Sequence, residues 1–466
     1  MTKKADESWQ DYQARVLDPV SPSFCATKWL DSTIWLGHGA TASCHLPPAH
    51  KIQLDEIAVN PSALHNTVHK KKMRKLMLDG HQPSECDYCW RIEGINRNNV
   101  SDRAFKSSRY DQTSIDQIAK MPWDADVHLE TLEIAFNRTC NFACSYCNAG
   151  FSTTWAKDIN THGAYQNLVS DGAGAFQHNG AWAEPYGKRN EGNPYIAAFW
   201  KWWPELSKTL KQLRITGGEP LMSVDVWKLF DFFEENGTNG VQFAINTNLG
   251  GKPELIDRLI EKSHAVPDLQ IFSSNEAMGA QAEYIRDGMI FDTWKANVEK
   301  VMTHGNVKQL TMMMTINNLS LFSLPEFLDV MIEWKRQFGS ERVRWSANIV
   351  RFPSFMSPLV LPPAVLAERR DTLVTLCAQL KDNPLVSSFE IENIQRLADY
   401  LDAVKTPHPG ADEMGKLQQD FKSFHAQYDV RRGKSIDVFP SMRDWLNTIP
   451  TTNLGFRQEL ISGSVI

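Results

Sequence analysis

Between residues 129 and 350 the sequence alternates short apolar runs with longer amphipathic stretches, and this alternation constrains the fold more than any other feature. The strand-like runs are 129–136, 212–216, 241–246, 269–273, 309–315 and 343–350. Helical periodicity fills 224–234, 254–262, 291–303 and 324–338. A strand, a helix and another strand in succession imply a parallel pair, because parallel strands need a long crossover connection. The hydrophobic share of 42% is enough to build a sizeable core. Six strands are too few to close an eight-fold barrel. The predicted fold class is therefore α/β, a partial (β/α)6 barrel whose functional groups gather at the C-terminal ends of its strands.

The flanks read differently. Residues 1–125 are rich in Cys, His, Pro and Trp and predict a small metal-stapled module, with 33–36 and 52–59 as strands or turns and 73–78 as helix. The barrel is predicted over 126–355, and a helical extension over 356–466, clearest at 364–380 and 388–404. The basic run Lys70, Lys71, Lys72, Arg74 and Lys75 predicts a solvated helix face. A net charge of −6 argues against broad nucleic-acid binding. No window approaches the ~20 apolar residues of a membrane span, and the polar N-terminus lacks a signal peptide's apolar stretch. These features predict a cytoplasmic protein with no membrane partner. In a reducing compartment, closely spaced cysteines point to metal or redox chemistry more than to disulfides. About sixty residues separate the cysteine loop at 140–147 from the strand at 212. Connections that long tend to be functional; the aromatics of 181–186 and 200–203 either line a cavity there or pack the insertion onto the barrel rim.

The chemistry-bearing motif is Cys140-x-x-x-Cys144-x-x-Cys147, directly after the first predicted barrel strand. Three thiolates can hold three irons of a cubane cluster and leave the fourth without a protein ligand. An open coordination position is a site for chemistry, whereas structural zinc takes four closed ligands. Downstream, Thr216-Gly217-Gly218-Glu219-Pro220 ends the second strand, Asn246-Thr247-Asn248 the third and Ser273-Ser274-Asn275 the fourth.

Over 128–350 these motifs resemble the radical S-adenosylmethionine (SAM) superfamily. The resemblance implies a [4Fe-4S] cluster on Cys140, Cys144 and Cys147, with SAM chelated to the open iron. Reductive cleavage of SAM would then yield a 5′-deoxyadenosyl radical that abstracts hydrogen from a substrate. It further implies SAM contacts from Tyr146, Gly217, Gly218, Glu219, Pro220, Asn246, Ser273 and Arg286, the last within Tyr284-Ile285-Arg286. Where relatives often carry Ser-x-Asp-Gly, this chain has Asn275 and Glu276.

Cys25, Cys44, Cys86 and Cys89 form a second set whose spacing is similar to the twitch (half-SPASM) module of radical SAM proteins. That resemblance implies an auxiliary [4Fe-4S] cluster. A four-cysteine zinc ribbon is the rival, because both metals accept four thiolates. His38, His45 and His50 nearby are expected to be ordinary polar residues. Cys377 reads as a core cysteine, or as a hydrogen-atom donor if it reaches the cavity. The resemblance implies a reductant such as flavodoxin or ferredoxin. It leaves a peptide, a small molecule or sugar, and a nucleotide or nucleic acid open as substrates, with the oxidoreductase, epimerase or transferase subclass undecided. A non-catalytic iron–sulfur or SAM-binding scaffold is the alternative class.

Overall fold

The computed structural model describes residues 2–95, 100–186, 192–402 and 410–450. In chain order its strands are β1 (Asp31–Trp35), β2 (Ala40–Ala42), β3 (His50–Lys51), β4 (Thr131–Ala135), β5 (Ala143–Cys144), β6 (Gln212–Thr216), β7 (Gln242–Thr247), β8 (Gln270–Ser273), β9 (Arg286–Asp287), β10 (Gln309–Ile316) and β11 (Val343–Ile349). Nine of them form one sheet in the order β11-β10-β8-β7-β6-β4-β1-β2-β3. From β11 to β1 every neighbour is parallel; β2 and β3 join antiparallel. The six predicted strands are all present, in sequential order and within two residues of their expected ends.

Side-chain alternation sorts the sheet's two faces. Leu132, Ile134, Leu213, Ile215, Phe243, Ile245 and Ile271 are buried in the main core together with Leu229, Phe230, Leu259 and Val298 of the flanking helices. The opposite face presents Thr33, Glu133, Arg214, Asn246 and Phe272, only one of which is a large apolar residue. One face is thus built for helices and the other for polar contents.

The N-terminal segment departs from expectation. β1 pairs parallel with β4 over Asp31↔Thr131 to Trp35↔Ala135, so the parallel sheet gains a strand from the region read as a separate module. Residues 54–59 are helical (Leu54–Val59) and not extended. Asp55 and Glu56 sit in the first turn, where the helix dipole favours acids, and Ile57 alone turns inward. The basic run lies on the helix Val68–Leu78, but Lys70 and Arg74 are fully buried. Lys70 Nζ donates to Ser32 Oγ (2.7 Å) and Thr41 Oγ1 (2.9 Å), and Arg74 to Asn66 Oδ1 (3.1 Å). Spacing of four on a helix puts both on one face, and that face meets β1 and β2 where a solvated one was expected.

The C-terminal helices are Pro363–Lys381, Ser388–Leu401, Ala411–Arg432 and Met442–Thr448; residues 403–404 of the expected second helix lie outside the described residues. Helix Ala411–Arg432 lies over the cysteine loop. Tyr428 Oη donates to the carbonyl of Tyr284 (3.0 Å), and Arg432 pairs with Asp158 and Asp287 while stacking on Trp155. The helix Pro194–Leu206 buries Trp202 and Trp203, which pack the long connection onto the sheet; Trp182 is exposed. No helix among the described residues is long and apolar enough to cross a membrane.

Candidate functional site

The C-terminal ends of β4, β6, β7 and β8 and the short β5–β9 ladder converge on the loop that carries Cys140, Cys144 and Cys147. β5 pairs antiparallel with β9 through Ala143↔Asp287 and Cys144↔Arg286, which staples the middle of the loop to the Arg286 segment. Trp155 Nε1 donates to the carbonyl of Cys144 (2.9 Å), and Thr154 Oγ1 to that of Cys140 (2.6 Å). The loop's backbone is thus held by residues outside it.

Gly217 and Gly218 explain how β6 ends against this loop. Gly217 has φ +130°, and a Cβ there would sit 2.7 Å from the carbonyl oxygen of Asn137. A Cβ on Gly218 would sit 2.4 Å from that of Thr139. Only glycine lets two backbones meet so closely. The amides of Gly218 and Glu219 then donate to Asn137 and Thr139 at 3.3 and 2.6 Å. Pro220 opens the turn Pro220–Met222, which buries Pro220 and Leu221.

Glu219 is a buried brace. Its carboxylate accepts from Leu221 N (3.0 Å), Thr247 Oγ1 (2.7 Å) and Asn248 N (2.7 Å), tying the end of β6 to the end of β7. Burial pushes its carboxyl up to about 7, against the three donors that favour the ionised form. Thr247 is in register with Ser273, whose Oγ is buried without a hydrogen-bond partner in the described structure. Asn246 points to the polar face, where its Oδ1 accepts from Arg214 Nε (2.9 Å).

Arg286 and Tyr146 meet a carboxylate that sequence reasoning left aside. Glu276 is fully buried and pairs with Arg286 Nη2; Tyr146 Oη donates to it at 3.2 Å. Arg286 Nη1 lies 3.8 Å from Cys144 Sγ, and its guanidinium is 5.5 Å from the Tyr146 ring centroid. Glu276 stands three residues after Ser273, the last residue of β8. Its signal in the sequence was the residue itself, read as a missing glycine.

The second cysteine set comes together as well. Cys25, Cys44, Cys86 and Cys89 line one cavity with about 430 Å³ of empty space, mouth included. Lys28, Arg103 and Lys106 line it too, each almost wholly buried. Lys28 pairs with Glu85, Arg103 with Glu93 and Lys106 with Asp102. Cys44 and Lys106 also line a second cavity, with about 940 Å³ of empty space, against the polar face of the sheet.

The donor chemistry fits iron–sulfur clusters in both places. All eight cysteines are free. Burial pushes the thiols of Cys140, Cys44 and Cys89 up to about 12, and those of Cys144 and Cys86 upward. Such thiols ionise only when a cation replaces their protons. No three Cys, His, Asp or Glu side chains among the described residues are gathered as the ligands of a single metal ion. A cubane takes each thiolate on a separate iron, so its ligands stand farther apart than those of a single ion. Cys377 is buried on the helix Pro363–Lys381 and lines neither cavity beside the cysteines. His50 is held neutral by burial, its pKa lowered to about 3, and donates to or accepts from Thr67 Oγ1 at 2.9 Å.

No protein-family model and no curated protein matches this chain. Among solved structures it is similar to SuiB of Streptococcus suis bound to S-adenosylmethionine, with TM-score 0.36 and 14% identity over 69% of this chain and 61% of that one. SuiB bound to its precursor peptide SuiA matches at TM-score 0.35 and 14% identity, over 72% of this chain and 65% of that one. The chain thus spans less than two thirds of the length of these neighbours.

Proposed function

We propose that this chain is a radical SAM enzyme with two iron–sulfur sites. The observation that carries the reading is the meeting of Cys140, Cys144 and Cys147 with the Gly217–Gly218 turn at the strand ends. Cys140, Cys144 and Cys147 would hold the first [4Fe-4S] cluster, and Cys25, Cys44, Cys86 and Cys89 the auxiliary one. Bound there, such a cluster would supply one-electron reduction for the cleavage of SAM and so the radical chemistry of hydrogen abstraction.

The chain's own residues orient and shield that chemistry. Arg286, held by Glu276, offers a cation beside Cys144 and suits a carboxylate. Ser273 Oγ is a buried hydroxyl free to bond a ligand. Glu219 acts as a positioning residue, because three protein donors already occupy its carboxylate. Helix Ala411–Arg432 covers one flank of the cysteine loop and keeps water from it. At the second site the buried cations Lys28, Arg103 and Lys106, each paired with a carboxylate, would stand beside the four thiolates.

The test is anaerobic. Clusters are reconstituted, reduced with dithionite and supplied with SAM, and 5′-deoxyadenosine is measured. Loaded, reduced protein that forms none overturns the reading and leaves a binding scaffold. The Cys140→Ala, Cys144→Ala, Cys147→Ala variant is expected to lose cleavage and retain iron at the N-terminal site; stoichiometric zinc without iron in that variant would replace the auxiliary cluster with a zinc ribbon. Flavodoxin or ferredoxin is the proposed reductant in place of dithionite.

A further inference from the structure

The polar face of the sheet carries a second cavity, which shares Cys44 and Lys106 with the N-terminal cysteine site. It lies against β1, β4, β6, β7 and β8 and holds Arg214, Glu133, Asp31, Arg109 and Phe272 among its lining. Its size suits a small molecule or a short peptide segment.

Arg214 is presented there in an unusual way. Glu133 is its cross-strand register partner, and opposite charges in that position ordinarily pair. They do not pair here: among the described residues no carboxylate lies within ion-pair distance of Arg214. Its guanidinium instead lies 4.1 Å from the Phe272 ring centroid, and its Nε donates to Asn246 at 2.9 Å. That Nε bond is its one hydrogen bond among the described residues. The stack and the Nε bond fix the plane of the fork and leave its two Nη groups to the cavity. A pre-set planar fork with both Nη groups free is the geometry that takes a carboxylate bidentately.

We infer that Arg214 is the receptor for a carboxylate on the substrate, so that this cavity takes an acid-bearing substrate. The charges around it agree. Burial favours the neutral forms of Asp31 and Glu133, raising Asp31 to about 7, while a guanidinium keeps its charge even where burial lowers its pKa, as it does for Arg214. Arg214 is three residues before Gly217, Asn246 one before Thr247 and Phe272 one before Ser273. At the strand rise this puts the Cα of Arg214 about 10 Å from that of Gly217. The cavity extends from Arg214 to the strand starts Asp31, Thr131, Gln212, Gln242 and Gln270. That the bound acid is the substrate rests on the proposed function.

The shared chemistry is a carboxylate, from a free acid or from an acidic residue of a peptide. Full-length, anaerobically reconstituted protein is tested by equilibrium dialysis against four labelled probes. These are glutarate, its neutral isostere glutaramide, and acetyl-Gly-Glu-Gly-amide with its Gln counterpart. The acid of at least one pair is expected to bind about tenfold or more tighter than its amide, the range of a charge-assisted hydrogen bond; which pair shows it separates the two sources. Arg214→Gln should abolish that preference, Arg214→Lys should keep part of it, and Glu133→Gln should keep all of it. Equal binding of acid and amide by the unaltered protein overturns the inference without recourse to any variant. So does a preference that survives Arg214→Gln, or one lost equally with Glu133→Gln. Acid binding without SAM cleavage would remove the proposed function alone; SAM cleavage without acid preference would remove this inference alone.

Discussion

Glu219→Gln isolates the cost of burying one carboxylate at the centre of the site. In the folded chain its pKa is raised to about 7, from an ordinary value near 4.5, because burial disfavours its charge. A carboxyl with a raised folded pKa binds more protons folded than unfolded between those two values. Stability from this group is therefore fully present at low pH and is lost as pH rises toward 7. The difference corresponds to about 3 kcal/mol at 1.36 kcal/mol per pKa unit. Glutamine is close to isosteric with the protonated acid and does not ionise. At pH 4.5 the variant should be somewhat less stable than the parent, by about 1 kcal/mol, since its amide cannot accept from all three donors. By pH 7.5 it should have gained about 3 kcal/mol relative to the parent. The assay is urea denaturation of both proteins in their metal-free form across that range. Subtraction of the two curves removes the contributions of Asp31 and other groups common to both. A stability difference that stays flat with pH, or one that turns against glutamine as pH rises, would refute the reasoning. It would mean that Leu221, Thr247 and Asn248 outweigh burial and keep the carboxylate ionised.

Three further expectations follow from other contacts. Gly218→Ala places a methyl group 2.4 Å from the carbonyl oxygen of Thr139; it should cost about 1–3 kcal/mol and lower iron bound at Cys140–Cys147, read by iron and sulfide analysis. Glu276→Gln strips the buried counter-charge from Arg286 and should cost about 3–5 kcal/mol in urea melts, with Arg286→Gln recovering part of that in the double variant. Lys70 has no carboxylate within ion-pair distance among the described residues, and burial holds its pKa well below the ordinary lysine value. The unfolded chain then binds the extra proton, so stability from this group rises with pH. Lys70→Met should be at least as stable as the parent at pH 7, and its advantage should shrink by pH 10; a variant less stable at both would show that the bonds to Ser32 and Thr41 outweigh the buried charge.

The strands were legible because burial on one face leaves a strong imprint. Residues such as Ile134, Ile215, Ile245 and Ile271 must be apolar to meet the helices, and the helices' own periodicity answers them. The basic helix was misread for a complementary reason. Lys70 and Arg74 carry the same charge as Lys71 and Lys72, and charge alone does not say which helix face meets β1. Glu276 was passed over because its role depends on a partner ten residues away, Arg286, that only folding brings alongside it.

Local chemistry was written into the chain before any folding. Three thiols spaced over eight residues, and a glycine pair at a strand end, are short-range patterns whose geometry follows from backbone spacing. The four N-terminal cysteines, spread over more than sixty residues, come to one cavity only through tertiary packing, as does the sharing of Cys44 and Lys106 with the polar face. So does the separation of Arg214 from Glu133. Adjacent strands make that pair possible in principle, and it is the ring of Phe272 and the amide of Asn246, from two other strands, that turn the guanidinium away. Contacts between distant segments carry no periodicity of their own, which is why only the folded chain discloses them.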